Sequence, residues 1–178
     1  MTSGPLIPKL LCRPYLISYD IAAKRHKIRK SKARYFFPVK QNIVERKIMW
    51  GDLDPLGIVF YPRYYEWMDA CGHLFFESTD LTMGELWSDR KILFGMVETS
   101  CRYFKPGKYH QEIRIITSID SLNDKTLVLK HTIRDSKDDT LLVEGFEKRI
   151  CMDVSDPENL KAMDIPKDIY NVLKEHSA

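Results

Sequence analysis

From Gln41 onward, apolar and polar positions fall into runs whose period changes along the chain. Residues 42–50, NIVERKIMW, alternate as a half-buried strand does and stop at Gly51. Residues 62–78, PRYYEWMDACGHLFFES, place apolar groups at 64, 67, 68, 71, 74 and 75, the spacing of a helix with a wide apolar face. Pro62 suits the first helical position, where its missing N–H costs nothing. Arg63, Glu66, His73 and Glu77 leave only a narrow polar stripe, so this helix predicts something that wraps it. Residues 81–89 predict a short helix, and four strand-like runs follow at roughly 92–104, 111–121, 126–134 and 140–152. In the third of these, Leu127, Leu129, His131 and Ile133 alternate with Val128, Lys130, Thr132 and Arg134, the period of a half-buried strand. The breaks KPGKY, LNDK and DSKDD are turn-like and short, which predicts antiparallel pairing. A last helix is expected over 168–176, after Ile165-Pro166. One antiparallel sheet curled around one long hydrophobic helix buries both, an α+β arrangement.

Charge then divides the chain. Residues 1–40 hold ten Lys and Arg against one acid, Asp20, whereas the remainder holds 18 bases and 24 acids. The formal +3 therefore belongs to an extension and not to the domain. We expect a basic, poorly ordered N-terminal extension over 1–40 and one domain over 41–178. An organellar targeting segment, a polybasic arm for anionic partners, and a start placed too far upstream all fit the extension. No apolar run approaches the ~18 residues that span a bilayer. Cys12, Cys71, Cys101 and Cys151 lie far apart with no C-x-x-C pair. That pattern predicts reduced thiols in a cytoplasmic protein, with neither a metal centre nor a cofactor.

The chemistry concentrates in WGDLDPLGIVFYP, residues 50–62, where Asp52 and Asp54 sit between the strand and the helix. Turn formation explains Asp, Pro and Gly in such a place. A catalytic carboxylate beside the helix mouth explains Asp54 equally, because unpaired N–H groups and the helix dipole stabilise developing negative charge. On residues alone both readings stay open, and Asp52 fits a loop hydrogen bond better than a second catalyst. His131 reads as a core histidine, Glu98 as an accessory at most, and Trp50 and Trp67 as packing groups.

The segment GDLDPLGIVFYPRYYEWMDA (51–70) resembles the signature of hotdog-fold thioesterases of the 4-hydroxybenzoyl-CoA thioesterase family, in its Asp-dependent bacterial branch. The resemblance continues through SCRYFKPGKYHQEIRIIT (100–117) and KTLVLKHTI (125–133) to LKAMDIP (160–166). It implies a hotdog fold with a five-stranded antiparallel sheet, and hydrolysis of an acyl-CoA thioester to free acid and CoA. Asp54 then matches the nucleophile or general base, Tyr61 the backbone N–H of the oxyanion hole, and Gly57 the loop position of close substrate approach. Asp69 matches the position that takes the phenol hydroxyl in the 4-hydroxybenzoyl enzyme, which favours an aromatic acyl group. Lys125 and Lys161 match positions that bind the CoA phosphates. Just before Lys125 the family's consecutive arginines are replaced by Asn123 and Asp124. A carrier-protein thioester or a non-catalytic acyl-CoA module are the alternatives. A hydratase would want a histidine, which 51–62 lacks. The resemblance further implies a homodimer or homotetramer. The residues themselves predict no metal and no membrane span, and nucleic-acid binding by the basic extension is a rival reading.

Overall fold

A computed structural model describes residues 41–177. The basic extension expected over 1–40, with Cys12, lies outside the described residues, as does Ala178. The strands are β1 (Gln41–Lys47), β2 (Ile92–Tyr103), β3 (Glu112–Leu122), β4 (Thr126–Asp135), β5 (Leu141–Asp153) and β6 (Lys161–Ala162). The helices are α1 (Pro62–Ser78), α2 (Met83–Ser88) and α3 (Lys167–Glu175). All strands pair antiparallel in the order β1-β3-β4-β5-β2, and β6 adds a two-residue pairing to the end of β5. The expected five strands are therefore joined by a sixth, which LKAMDIP is too short to announce by its pattern.

The inward positions follow the sequence period. Along β4, Leu127, Leu129, His131 and Ile133 are buried and their neighbours half-buried. Helix α1 lies against these positions through Tyr64, Trp67, Met68, Cys71, Gly72, Phe75 and Phe76. Leu74, which shares the helical spacing, is instead exposed, and Phe76 takes the buried place beside Phe94. Each large apolar side chain buried this way stabilises the fold by about 1.5–3 kcal/mol.

The core has two apolar halves. One gathers Phe75, Phe76, Phe94, Leu127 and Leu129 beneath α3. The other gathers Ile48, Val59, Tyr64, Trp67, Ile115, Ile133 and Val143 around the start of α1. Between them a buried polar band crosses the sheet. Thr117 on β3 pairs with His131 on β4, and Glu147 on β5 stands opposite Leu129. Arg149 lies two residues further along β5 and is also buried.

Candidate active site

Asp54 heads a tight hairpin. Its carbonyl accepts the Gly57 N–H at 2.9 Å, and its own N–H donates to the Ile58 carbonyl at 2.9 Å. Pro55 and Leu56 form the corner, and Gly57 has φ +72°, a left-handed conformation in which a side chain is strained. The Leu56 N–H donates to Asp54 Oδ1 at 2.8 Å, an Asx turn that fixes the carboxylate. Asp54 Oδ2 takes no hydrogen bond from the described residues. Asp52 is spent differently: it accepts the Met49 N–H at 2.8 Å and an Arg46 N–H at 3.3 Å. One acid is thus structural, and the other keeps an open oxygen.

The hairpin is tied to the segment after β2. The Val59 N–H donates to the Gly107 carbonyl at 3.0 Å, and the Gly107 N–H to the Tyr64 hydroxyl at 3.1 Å. These ties frame a cavity of about 390 Å³ lined by Asp54, Ile58, Val59, Tyr61, Tyr64, Tyr103, Phe104, Lys105 and Pro106. Tyr61 caps α1 and Pro62 begins it, so the Tyr61 N–H is the first donor at that end. It meets no acceptor among the described residues. Asp54, with a free carboxylate oxygen, and Tyr61, whose N–H meets no acceptor among the described residues, therefore both line one mostly apolar cavity. That is the equipment for polarising a carbonyl and attacking it, directly or through water. Burial pushes the Tyr103 phenol up, and the neighbouring Tyr65 hydroxyl adds to the shift. Burial likewise pushes the Cys71 and Cys151 thiols up to about 11, so neither offers a thiolate.

Asp69 does not line this cavity. It lies on α1 in the series Tyr61, Tyr65, Asp69, His73, spaced by four and so on one helix face. Arg149 reaches it from below, with Nη2 at 2.8 Å from Asp69 Oδ1 and 2.8 Å from Glu147 Oε2. Thr117 Oγ1 is 3.0 Å from His131 Nδ1, and His131 Nε2 is 3.4 Å from Glu147 Oε2. Burial alone raises a carboxyl, yet the His131 hydrogen bond and the Arg149 charge hold Glu147 below its usual range.

The other sequence-derived positions fall apart from the cavity. Gly57 directs its N–H to Asp54, and a Cβ there would meet open space, so its requirement is conformational. Lys125 pairs with Asp164 at 3.6 Å, and Lys161 stands opposite Asp153 in the β5–β6 register. Both lie toward the end of β5, whereas Tyr103 of the cavity pairs with Val143 near its start. Measured along β5 from Val143, that is roughly 26 Å to the level of Lys125 and roughly 33 Å to that of Lys161, at about 3.3 Å per strand residue. Glu98 is exposed on β2. Trp67 is buried, but Trp50 is 75% exposed and meets only the edge of Tyr109, so it is not the packing group expected. Sequence reasoning missed Tyr64, Tyr103, Phe104 and Lys105, which the Gly107 ties bring to the cavity. It also missed Arg149, 80 residues from Asp69. Among the described residues no cluster of His, Cys, Asp or Glu is suited to a metal ion, and no helix is long and apolar enough to cross a membrane.

Comparison with known proteins shows the family and the fold. A family model, the thioesterase-like superfamily, matches residues 48–173. The 4-hydroxybenzoyl-CoA thioesterase of Pseudomonas sp. (strain CBS-3) is 29% identical over 133 residues, covering 70% of this chain and 92% of that protein. Its solved structure superposes with a TM-score of 0.68 at 26% identity, over 74% of this chain and 98% of that one. A gentisyl-coenzyme A thioesterase structure is 33% identical with a TM-score of 0.63, over 72% and 98%.

Proposed function

The chain belongs to the thioesterase-like superfamily and is a thioester hydrolase, and we propose that it hydrolyses aromatic acyl-CoA thioesters at the cavity between Asp54 and the start of α1. One observation carries the reading: Asp54, with a free carboxylate oxygen, and Tyr61, with an unpaired helix-terminal N–H, line the same cavity. Asp54 attacks the thioester carbon or takes the proton of the attacking water. In both routes negative charge lands on the carbonyl oxygen, where the Tyr61 N–H and the helix dipole stabilise it. The C–S bond then breaks and CoA leaves as thiolate. After direct attack the thiolate takes a proton from solvent, and water hydrolyses the Asp54–acyl anhydride to free acid and Asp54. After attack by water the acid is already complete, and Asp54 returns its proton to the thiolate.

The acyl group extends along Tyr61, Tyr65 and Asp69. Eight residues of helix separate Tyr61 from Asp69, about 12 Å of rise. A benzoyl ring bearing a hydroxyl, a hydrogen bond and the short carboxylate arm together match that length, and Asp69 accepts the hydroxyl. This helix stripe is half-exposed in a single chain, and strand β2 ends the sheet with Met96 and Val97 exposed. A second copy pairing along β2 covers both, so we assign a homodimer as the minimal unit, with a homotetramer as its doubling. Lys125 and Lys161 then serve the CoA phosphates of a thioester whose acyl end lies far from them in the same chain. The family positions support that assignment, and Asp124 and Asp164 weigh against it. The activity resides in residues 41–178, in the cytoplasm, where the widely spaced cysteines stay as thiols.

Two measurements test the reading. Purified protein should hydrolyse benzoyl-type CoA esters, and Asp54→Asn should lower turnover by about 10²–10⁴-fold while leaving the fold intact. Binding of acyl-CoA without hydrolysis by the wild type would instead favour the non-catalytic module. Hydrolysis of carrier-protein thioesters alone would favour the carrier alternative.

A further inference from the structure

The polar band beneath α1 has a feature that packing does not require. Arg149 is 3% exposed at its side chain and Glu147 2%, yet Asp69, the third member, is 50% exposed. Burying charges is costly, and a structural pair is satisfied once each charge has its partner. Here Glu147 already meets Arg149 through two contacts, Nε at 3.3 Å and Nη2 at 2.8 Å. The bond to Asp69 is additional, and it reaches out of the core to a half-exposed carboxylate.

The backbone is shaped to allow this. Gly72 lies on α1 directly over the pair, where a Cβ would come within 3.0 Å of both Arg149 Nη2 and Glu147 Oε2. A side chain there requires the ion pair to give way by a few tenths of an ångström. Arg149 takes only Oδ1 of Asp69, and His73 Nε2 stands 3.8 Å from that same oxygen. Asp69 Oδ2 takes no hydrogen bond from the described residues.

We propose that Arg149, held by Glu147 and given room by Gly72, is a positioning residue that fixes Asp69 through Oδ1 so that Oδ2 accepts a hydroxyl on the acyl ring. The inference rests on the thioesterase reading and on the acyl path along α1. Because Glu147 offsets the Arg149 charge, the cluster keeps the net negative charge of Asp69. It therefore suits a hydrogen-bond donor and repels a carboxylate or phosphate on the ring.

The test compares kcat/KM for 4-hydroxybenzoyl-CoA with that for benzoyl-CoA in wild type, Asp69→Asn, the paired Glu147→Gln/Arg149→Met, and all three changes together. The paired swap removes both buried charges at once, so neither is left unpaired. We expect the hydroxyl preference to fall roughly tenfold or more in both Asp69→Asn and the paired swap, as for one charge-assisted hydrogen bond. The triple variant should show no further loss of preference. A preference lost in Asp69→Asn but kept in the paired swap overturns the role of Arg149 and leaves the acyl path standing. A preference unchanged in both overturns the inference and the Asp69 assignment together. Absence of hydrolysis in the wild type overturns the thioesterase reading beneath them. Should the paired swap not fold, Gly72→Ala decides, read with its crystal structure: an unchanged preference where that structure shows the Arg149–Asp69 contact broken contradicts the proposal.

Discussion

Asp52 and Asp54 are the same residue type two positions apart, and their surroundings divide them. The Met49 N–H and Arg46 occupy both oxygens of Asp52, whereas the Leu56 N–H occupies one oxygen of Asp54. Turn chemistry around Pro55 and Gly57 could be read from the sequence, because those residues have few conformations to choose from. A loop hydrogen bond for Asp52 could be read as well, but not its partner Arg46, six residues back. The Arg149–Asp69 contact was also hidden, because nothing in local spacing links residues on a strand and a helix 80 positions apart. Glu147 carries a pH prediction at this scale. Its carboxyl is held below the usual value, so its contribution to stability is present above the unfolded value of about 4.3 and is lost as pH falls through the lower folded value. Urea midpoints measured between pH 6 and pH 3 should fall for the wild type and fall less for Glu147→Gln/Arg149→Met. Equal slopes would mean that folding does not lower the Glu147 carboxyl.

At the scale of elements, hydrophobic period located nearly everything. The span expected for α1, 62–78, is the helix observed, and the strands expected at 92–104, 111–121, 126–134 and 140–152 lie within a residue of β2 to β5. Regular alternation is strong wherever one face of a strand is buried, as it is along β3, β4 and β5. It failed at Leu74, which helical spacing pointed inward but which is exposed, and at β6, which has two residues. The placement of Lys125 and Lys161 near the β5–β6 end makes their role separable from chemistry. Lys125→Ala/Lys161→Ala should raise KM severalfold for acyl-CoA and leave kcat/KM for a short N-acetylcysteamine thioester unaltered. Equal effects on both substrates would remove these lysines from nucleotide binding.

For the whole molecule, the outer strand β2 is the open question that folding leaves. Its residues Met96 to Ser100 are exposed, with Met96 at 43% and Val97 at 55%, and a register shift between Met96 and Glu98 interrupts its pairing with β5. Exposed apolar edges invite pairing with another chain. Val97→Lys should convert a dimer to a monomer in sedimentation and lower thioesterase activity with it, because the Tyr61–Asp69 stripe loses its cover. A monomeric wild type with full activity would refute the shared site. The central claim is that Asp54 in this cavity hydrolyses aromatic acyl-CoA. Its most direct test is free-CoA release from a panel of aromatic and aliphatic acyl-CoA esters by wild type and Asp54→Asn. The account predicts turnover by the wild type, greatest on hydroxylated aromatic esters, and its near-complete loss in Asp54→Asn with unchanged circular dichroism. Turnover that survives in Asp54→Asn, or no turnover of any ester by the wild type, would contradict it.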